Sequence, residues 1–143
     1  MKVVMIHTSP VSLNELKALC AEIIPDVELV NIIDDSLLDE VKKNGGLTPA
    51  IISRMCQYVQ IADKLAPDLI FNQCSSVGEA FDLAKRCTSR MTLKIDEAMA
   101  EKAVSLGTKI GVIATVASTM LPSCNLVKTK AETAGKNVEV REY

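Results

Sequence analysis

Apolar and polar positions along this chain switch repeatedly between a strand-like run and a helical period. Lys2-Val3-Val4-Met5-Ile6 is a short apolar run that breaks at His7-Thr8-Ser9-Pro10, after which Leu13, Leu16, Cys20, Ile23 and Ile24 recur at helical spacing. Pro25-Asp26 punctuates the chain before Val27-Glu28-Leu29-Val30-Asn31-Ile32, whose apolar content predicts a second buried strand. Residues 33–47 are mostly polar and contain Asn44-Gly45-Gly46, so they are expected to form a loop over a site edge rather than core. Thr48-Pro49 is an N-cap followed by proline at the first helical position, and a helix is expected from there to about Leu65. Pro67-Asp68 leads into Leu69-Ile70-Phe71-Asn72, a third strand, and residues 77–87 regain helical spacing with Val77, Ala80, Phe81 and Ala84 on one face. Residues 91–95 form a fourth short strand, Asp96 is placed to cap a helix through Leu106, and Gly107 ends it. Residues 109–114 read as a fifth strand, and residues 115–134 as a helix with Pro122 near its first turns and Gly135 as its stop. Residues 137–141 read as a last strand.

Regular alternation of strand and helix predicts an α/β fold: a parallel sheet with helices on both faces, joined by right-handed crossovers. The units Val3-Val4-Met5-Ile6-His7-Thr8 and Gly111-Val112-Ile113-Ala114-Thr115 resemble each other, each an apolar strand that ends near a threonine and enters a helix. Two related lobes are therefore expected, a first over residues 1–107 and the beginning of a second, one βαβ unit, over residues 108–143. Ligands bind such sheets at the carboxyl ends of the strands. That directs attention to residues 7–10, 72–78 and 114–119.

Composition narrows the partners. The chain has 143 residues, enough for a core without disulfides or a structural metal. Its hydrophobic residues amount to 48%, yet no apolar run approaches the roughly 18 residues that span a bilayer, and no basic flank with an apolar stretch opens the chain. A cytoplasmic protein is expected. The net charge of −2 is spread over interleaved acidic and basic residues, which predicts neither a nucleic-acid nor a membrane partner. The five cysteines, Cys20, Cys56, Cys74, Cys87 and Cys124, are odd in number and widely spaced, as for reduced thiols. With no C-x-x-C pair and a single histidine, a zinc or iron–sulfur site is not expected, and the predicted metal set is none.

The segment Asn72-Gln73-Cys74-Ser75-Ser76-Val77-Gly78 puts a thiol and two hydroxyls at the start of an expected helix, where unpaired backbone N–H groups favour an anion. A thiolate is such an anion, and so is a substrate carboxylate. The plainer alternative is a small buried cysteine beside serines that cap the helix. His7 ends the first strand and either orients a ligand, shuttles a proton or is simply a satisfied structural histidine. Asp34-Asp35 and Asp96-Glu97 look like paired carboxylates but fall where caps and solvated loops are expected. Several α/β families are excluded by missing residues. A low-molecular-weight tyrosine phosphatase requires an arginine six residues after its cysteine, where this chain has Ala80. A receiver domain requires acidic residues where this chain has His7-Thr8 and Asn72-Gln73-Cys74. Flavodoxin requires a glycine in its first loop, and Thr8-Ser9-Pro10-Val11 has none.

Five segments taken in order resemble the aspartate/glutamate/hydantoin racemase superfamily along the whole chain. They are Ile6-His7-Thr8, Gly45-Gly46-Leu47-Thr48-Pro49, Cys74-Ser75-Ser76-Val77-Gly78, Ile95-Asp96-Glu97-Ala98-Met99-Ala100, and Ile110-Gly111-Val112-Ile113-Ala114-Thr115 with Thr119. The resemblance implies two pseudo-symmetric α/β lobes, no cofactor, and a small amino-acid-like or carboxylate substrate held between a cysteine from each lobe. One thiolate removes the α-proton and the other thiol returns a proton to the opposite face. It implies that Cys74 is the first-lobe base, that Ser75 and Ser76 bind the α-carboxylate, that Thr115 and Thr119 add hydroxyls from the second lobe, and that His7 and Thr8 line the site.

The superfamily's second cysteine is expected beyond Tyr143, which makes an incomplete enzyme the expectation for this chain. Cys124 is nine residues past Thr115 along a helix, about 13 Å from the site edge, and is a poor substitute. The alternatives are a non-catalytic carboxylate-binding or oligomerising remnant, a one-cysteine decarboxylase or isomerase, or a site completed by another chain. A lone βαβ unit cannot bury both faces of its strands, so a homo-oligomer is expected.

Overall fold

The strand that organises the first part of the chain is β1 (Lys2–His7), flanked on one side by β2 (Glu28–Ile33) and on the other by β3 (Leu69–Asn72), with β4 (Met91–Lys94) outside β3. The computed structural model describes residues 1–143 and divides them into two compact units, Met1–Lys94 and Ile95–Tyr143. In the first unit all four strands run parallel in the order β2-β1-β3-β4. Their connecting helices are α1 (Leu13–Ile23) between β1 and β2, α2 (Leu37–Asn44) and α3 (Pro49–Lys64) between β2 and β3, and α4 (Gly78–Ala84) between β3 and β4.

Alternate residues of the strands supply the core. Val4, Ile6 and Ile70 are fully buried together with Leu37, Ile51, Met55, Val59, Val77 and Phe81 from the helical connections. α3 starts as its sequence requires: the Thr48 hydroxyl accepts from the Ile51 N–H at 3.3 Å and Pro49 takes the first helical position. α1 behaves differently, for none of its residues is fully buried and Leu19 and Ile23 are exposed.

One expectation of the sequence fails in this unit. Residues 33–47 are not an open loop, because α2 occupies Leu37–Asn44. Its apolar stripe is only Leu37 and Val41, one turn apart and both buried, amid Asp39, Glu40, Lys42 and Lys43. Two positions are too few to register as periodicity, yet they suffice to dock a two-turn helix. Gly45, at φ 68°, ends it in the left-handed conformation that glycine adopts without strain.

The second unit contains α5 (Glu97–Leu106), β5 (Lys109–Val112), α6 (Ala117–Thr133) and β6 (Glu139–Glu142). β5 and β6 pair in parallel, from Lys109 opposite Glu139 to Val112 opposite Glu142. Its core is Ala100, Val104, Val112, Cys124, Leu126, Val127 and Ala131. The compact units thus divide between residues 94 and 95 and not between 107 and 108. The reason is α5: its stripe of Ala100 and Val104 joins the core of α6, and Lys130 reaches both Glu97 and Glu101 at 2.8 Å. A helix is assigned by what its apolar face meets, which its own sequence does not state.

Phe81 is among the largest fully buried side chains, whereas Leu106 is 75% exposed. Phe81→Ala is expected to lower stability by about 3–5 kcal/mol and Leu106→Ala by less than about 0.5 kcal/mol, read from urea unfolding midpoints.

Candidate functional site

From β1 the chain crosses to β2 on one side, then returns past β1 to β3 and continues outward to β4. The direction of crossover therefore reverses between β1 and β3, and an open parallel sheet binds ligands in the crevice outside the carboxyl ends at such a switch point. Ile6 of β1 lies in register with Asn72 of β3, so the residues that follow, His7-Thr8 and Gln73-Cys74, leave the sheet side by side. The Gln73 N–H still donates to the Ile6 carbonyl at 3.1 Å, holding the two exits together. His7, Thr8, Ser75, Ser76 and Cys74 thus belong to one edge of the first unit.

The turn at Cys74 is tied down by its neighbours. Asn72 Nδ2 donates to the Cys74 carbonyl at 2.9 Å, the Val77 N–H donates to the same carbonyl at 3.3 Å, and Gln73 Nε2 donates to Ser12 Oγ at 2.8 Å. Cys74 itself is extended, at φ −126° and ψ 117°, and half-buried. The sequence places the helix start directly at the thiol, but a 3₁₀ turn, Ser75–Val77, intervenes before the seven-residue α4. Ser76 and Val77 are buried in that turn, and Ser75 is the more accessible hydroxyl. Val77, the last residue of that turn, enters the core one residue before the helix proper begins.

His7 is fully buried and its Nε2 lies 2.8 Å from Asn31 Oδ1 on β2. With Nε2–H donating to that oxygen, Nδ1 is an acceptor, and it is buried without a hydrogen-bond partner. Asn72, also fully buried, keeps Oδ1 unpartnered in the same way. Leaving a polar atom buried and unpaired costs about 1–3 kcal/mol, and these two acceptors at adjoining strand ends make the edge a candidate site.

A second network stands at the end of β2, and in it Arg54 Nε and Nη2 are buried without a hydrogen-bond partner. The Asp34 carboxylate accepts from the Tyr58 hydroxyl at 2.6 Å and from Ser36 Oγ at 2.7 Å, and Arg54 Nη2 lies 3.3 Å away; Arg54 Nη1 also meets Glu40 Oε1 at 2.9 Å. Burial alone would raise the Asp34 carboxyl, but the hydrogen bonds from Tyr58 and Ser36 and the Arg54 charge outweigh it and hold the group below its ordinary 3.8. Burial, then the hydrogen bond to Asp34 and its charge, push the Tyr58 hydroxyl up to about 12. At the end of β4, Lys94 is buried and pairs with Asp82 at 2.6 Å, its stem passing over Gly78 at the start of α4. Burial raises Asp82, and Lys85 and Lys94 more than reverse this.

Asn31, Asn72 and Lys94 are the edge residues to which the sequence assigns no role. Lys94 closes an ordinary apolar run, and nothing local separates it from a surface lysine. Asp96, expected as a cap, occupies the N-cap position of α5 but makes no capping hydrogen bond, and its Oδ1 is buried without a partner. Thr115 and Thr119 lie in the second unit: Thr115 is exposed in the connection from β5 to α6, and the Thr119 hydroxyl donates to the Val116 carbonyl at 2.7 Å, closing the first turn of α6. Cys124 is buried in the core of that unit with its sulfur 3.9 Å from Met120 Sδ, and burial together with Glu142 pushes its thiol up. No group of three or more histidine, cysteine, aspartate or glutamate side chains is arranged to hold a metal ion. No helix is long and apolar enough to cross a membrane.

Two outcomes test these networks. Asp34 has a lowered value in the folded state, so its contribution to stability is complete above about 3.8 and is lost as pH falls through the folded value. Asp34→Asn should flatten the acid limb of the stability-against-pH curve measured by urea unfolding. Asn31→Leu, which leaves His7 without its partner, should destabilise by about 1–3 kcal/mol and move the His7 ring resonances in NMR.

The chain matches no protein-family model, and no curated protein matches it. Among solved structures it is similar to glutamate racemase from Aquifex pyrophilus, with a TM-score of 0.72 at 20% sequence identity over 99% of this chain. It spans 55% of that chain, about half its length. The fold is therefore α/β with a parallel four-stranded sheet, and it is racemase-like.

Proposed function

We propose that this protein acts as a cofactor-independent isomerase of the racemase type at the α-carbon of an amino acid or related carboxylate, with Cys74 as the base. The observation that carries the reading is the position of Cys74: it follows β3 at the switch point of a racemase-like sheet, on the strand-end edge that also carries His7 with its buried, unpartnered Nδ1. In the proposed step the Cys74 thiolate takes the α-proton of the bound substrate. The electron pair left on carbon spreads into the carboxylate as an enediolate, whose added charge is met by backbone N–H groups of the following turn and by the Ser75 and Ser76 hydroxyls. His7, held by Asn31, and Thr8 line the β1 side. A proton returned to the opposite face would complete inversion. Cys124 is not the donor of that proton, since its thiol is buried in a core and holds its proton more tightly than an ordinary cysteine.

Self-association is part of the proposal, because Ile113, Leu121 and Leu106 are exposed apolar side chains of the second unit. A monodisperse monomer in sedimentation would count against it.

The deciding measurement is α-proton exchange in D₂O, followed by NMR, over aspartate, glutamate, other amino acids, hydantoins and arylmalonates. Exchange with one of these classes is expected, and Cys74→Ala should reduce its rate by about 10²–10⁴-fold. If no substrate exchanges, the reading gives way to a carboxylate-binding protein without turnover, in which Cys74→Ala leaves affinity unchanged.

A further inference from the structure

α2 packs against the turn Ser75–Val77 that follows Cys74, and its Leu37 and Val41 enter the same core as Val77. Ser76 in that turn is 2% exposed, too little for a ligand to reach its hydroxyl from solvent. Little apolar surface holds α2 in this position. Leu37 and Val41 are its only buried residues, whereas α3 and α4 bury four each, so α2 is the least anchored of the three helices that share this core. Its polar attachment passes through one side chain of α3. Arg54 Nη1 donates to Glu40 Oε1 of α2 at 2.9 Å and to Ser36 Oγ, just ahead of α2, at 3.4 Å. The two ends of the segment differ. Asp34 is fixed to the sheet, its N–H donating to the His7 carbonyl at 3.0 Å. Gly45 and Gly46 follow α2 at φ 68° and 152°, with open space where a side chain would stand. Glycine populates both signs of φ, so this pair can redirect the backbone at low cost.

We propose that α2 is a lid over the Ser75–Val77 turn, latched to α3 through Glu40 and Arg54 and hinged at Gly45-Gly46, and that its opening admits the substrate carboxylate to the Ser76 hydroxyl. The inference rests on the reading of the Cys74 edge as the substrate site. Opening breaks the Arg54 contacts to Glu40 and Ser36 and withdraws Leu37 and Val41 from the core, while β1, β3 and α3 stay in place. Local openings of this kind are drawn from the elements with the fewest buried contacts, and lids are such elements. Closure over a bound substrate excludes water from the carboxylate, and the hydrogen bonds that meet its growing charge are stronger for it.

The test is native-state amide hydrogen exchange of the full chain, followed residue by residue by NMR at several low urea concentrations. Residues 37–44 and 75–77 are expected to exchange together, through an opening that urea barely promotes, while β1 and β3 exchange through global unfolding with its steep urea dependence. Glu40→Ala, which removes the latch carboxylate, should speed exchange of both segments about threefold. Arg54→Met should speed it further, and Glu40→Ala carries the test if Arg54→Met does not fold. The lid is overturned if residues 37–44 share the urea dependence of β1, if they open without residues 75–77, or if Glu40→Ala leaves their exchange unchanged. Amide exchange needs no substrate, so the two readings fail separately. A lid that opens in a protein without α-proton exchange would remove the isomerase reading alone. Turnover by a protein whose α2 opens only with the whole fold would remove the lid alone.

Discussion

β1 has to be hydrogen-bonded on both sides. Its residues from Val3 to His7 are buried, and a backbone N–H or carbonyl withdrawn from water without a partner costs about as much as a lost hydrogen bond. β2 and β3 provide those partners, both parallel, and parallel neighbours are reached only by crossovers that leave the sheet and return. Because β2 and β3 lie on opposite sides of β1, the crossovers reverse direction there. The carboxyl ends of β1 and β3 are consequently left uncovered by either connection, and Cys74 and His7 stand at that edge. The location of the candidate site is thus a consequence of how the most buried strand satisfies its backbone.

Two polar groups of residues share this edge, and each contains buried atoms without a hydrogen-bond partner, Arg54 Nε and Nη2 in the first. At β2 the Asp34, Tyr58, Ser36, Arg54 and Glu40 groups form a cluster of charge-assisted hydrogen bonds that binds the strand end to α2 and α3. It stabilises, and its perturbed titrations have structural causes. At β1 and β3, His7 and Asn72 each spend one polar atom on holding their surroundings and leave the other buried and unpaired. A polar group that is fixed in place but only half satisfied is preorganised for a further partner, which is what a binding site requires.

The second unit is stabilised by less. A two-stranded parallel pair cannot cover itself, so α5 and α6 supply the core, and Lys130 ties them through Glu97 and Glu101. Pairing with both carboxylates more than offsets the burial that would lower Lys130, and the ammonium is held above its ordinary value.

Most elements were legible because their signals are local. The strand ends at His7 and Asn72, the Thr48-Pro49 helix start, the Gly107 stop and the parallel α/β class all follow from periodicity, capping and turn residues within a few positions of one another. The Cys74 turn was legible for the same reason, as a thiol and two hydroxyls in a row after a strand. What the chain did not show locally depends on distant partners. α2 became a helix because Leu37 and Val41 find a core made by other elements, and α5 joined the second unit because Ala100 and Val104 meet α6. Asn31 acquired its role only when strand pairing put it beside His7. Local pattern determined which segments are strands and helices, because backbone geometry repeats every two or 3.6 residues. Tertiary packing alone decided which buried atoms are paired, since a hydrogen bond depends on distance in space and not on separation along the chain.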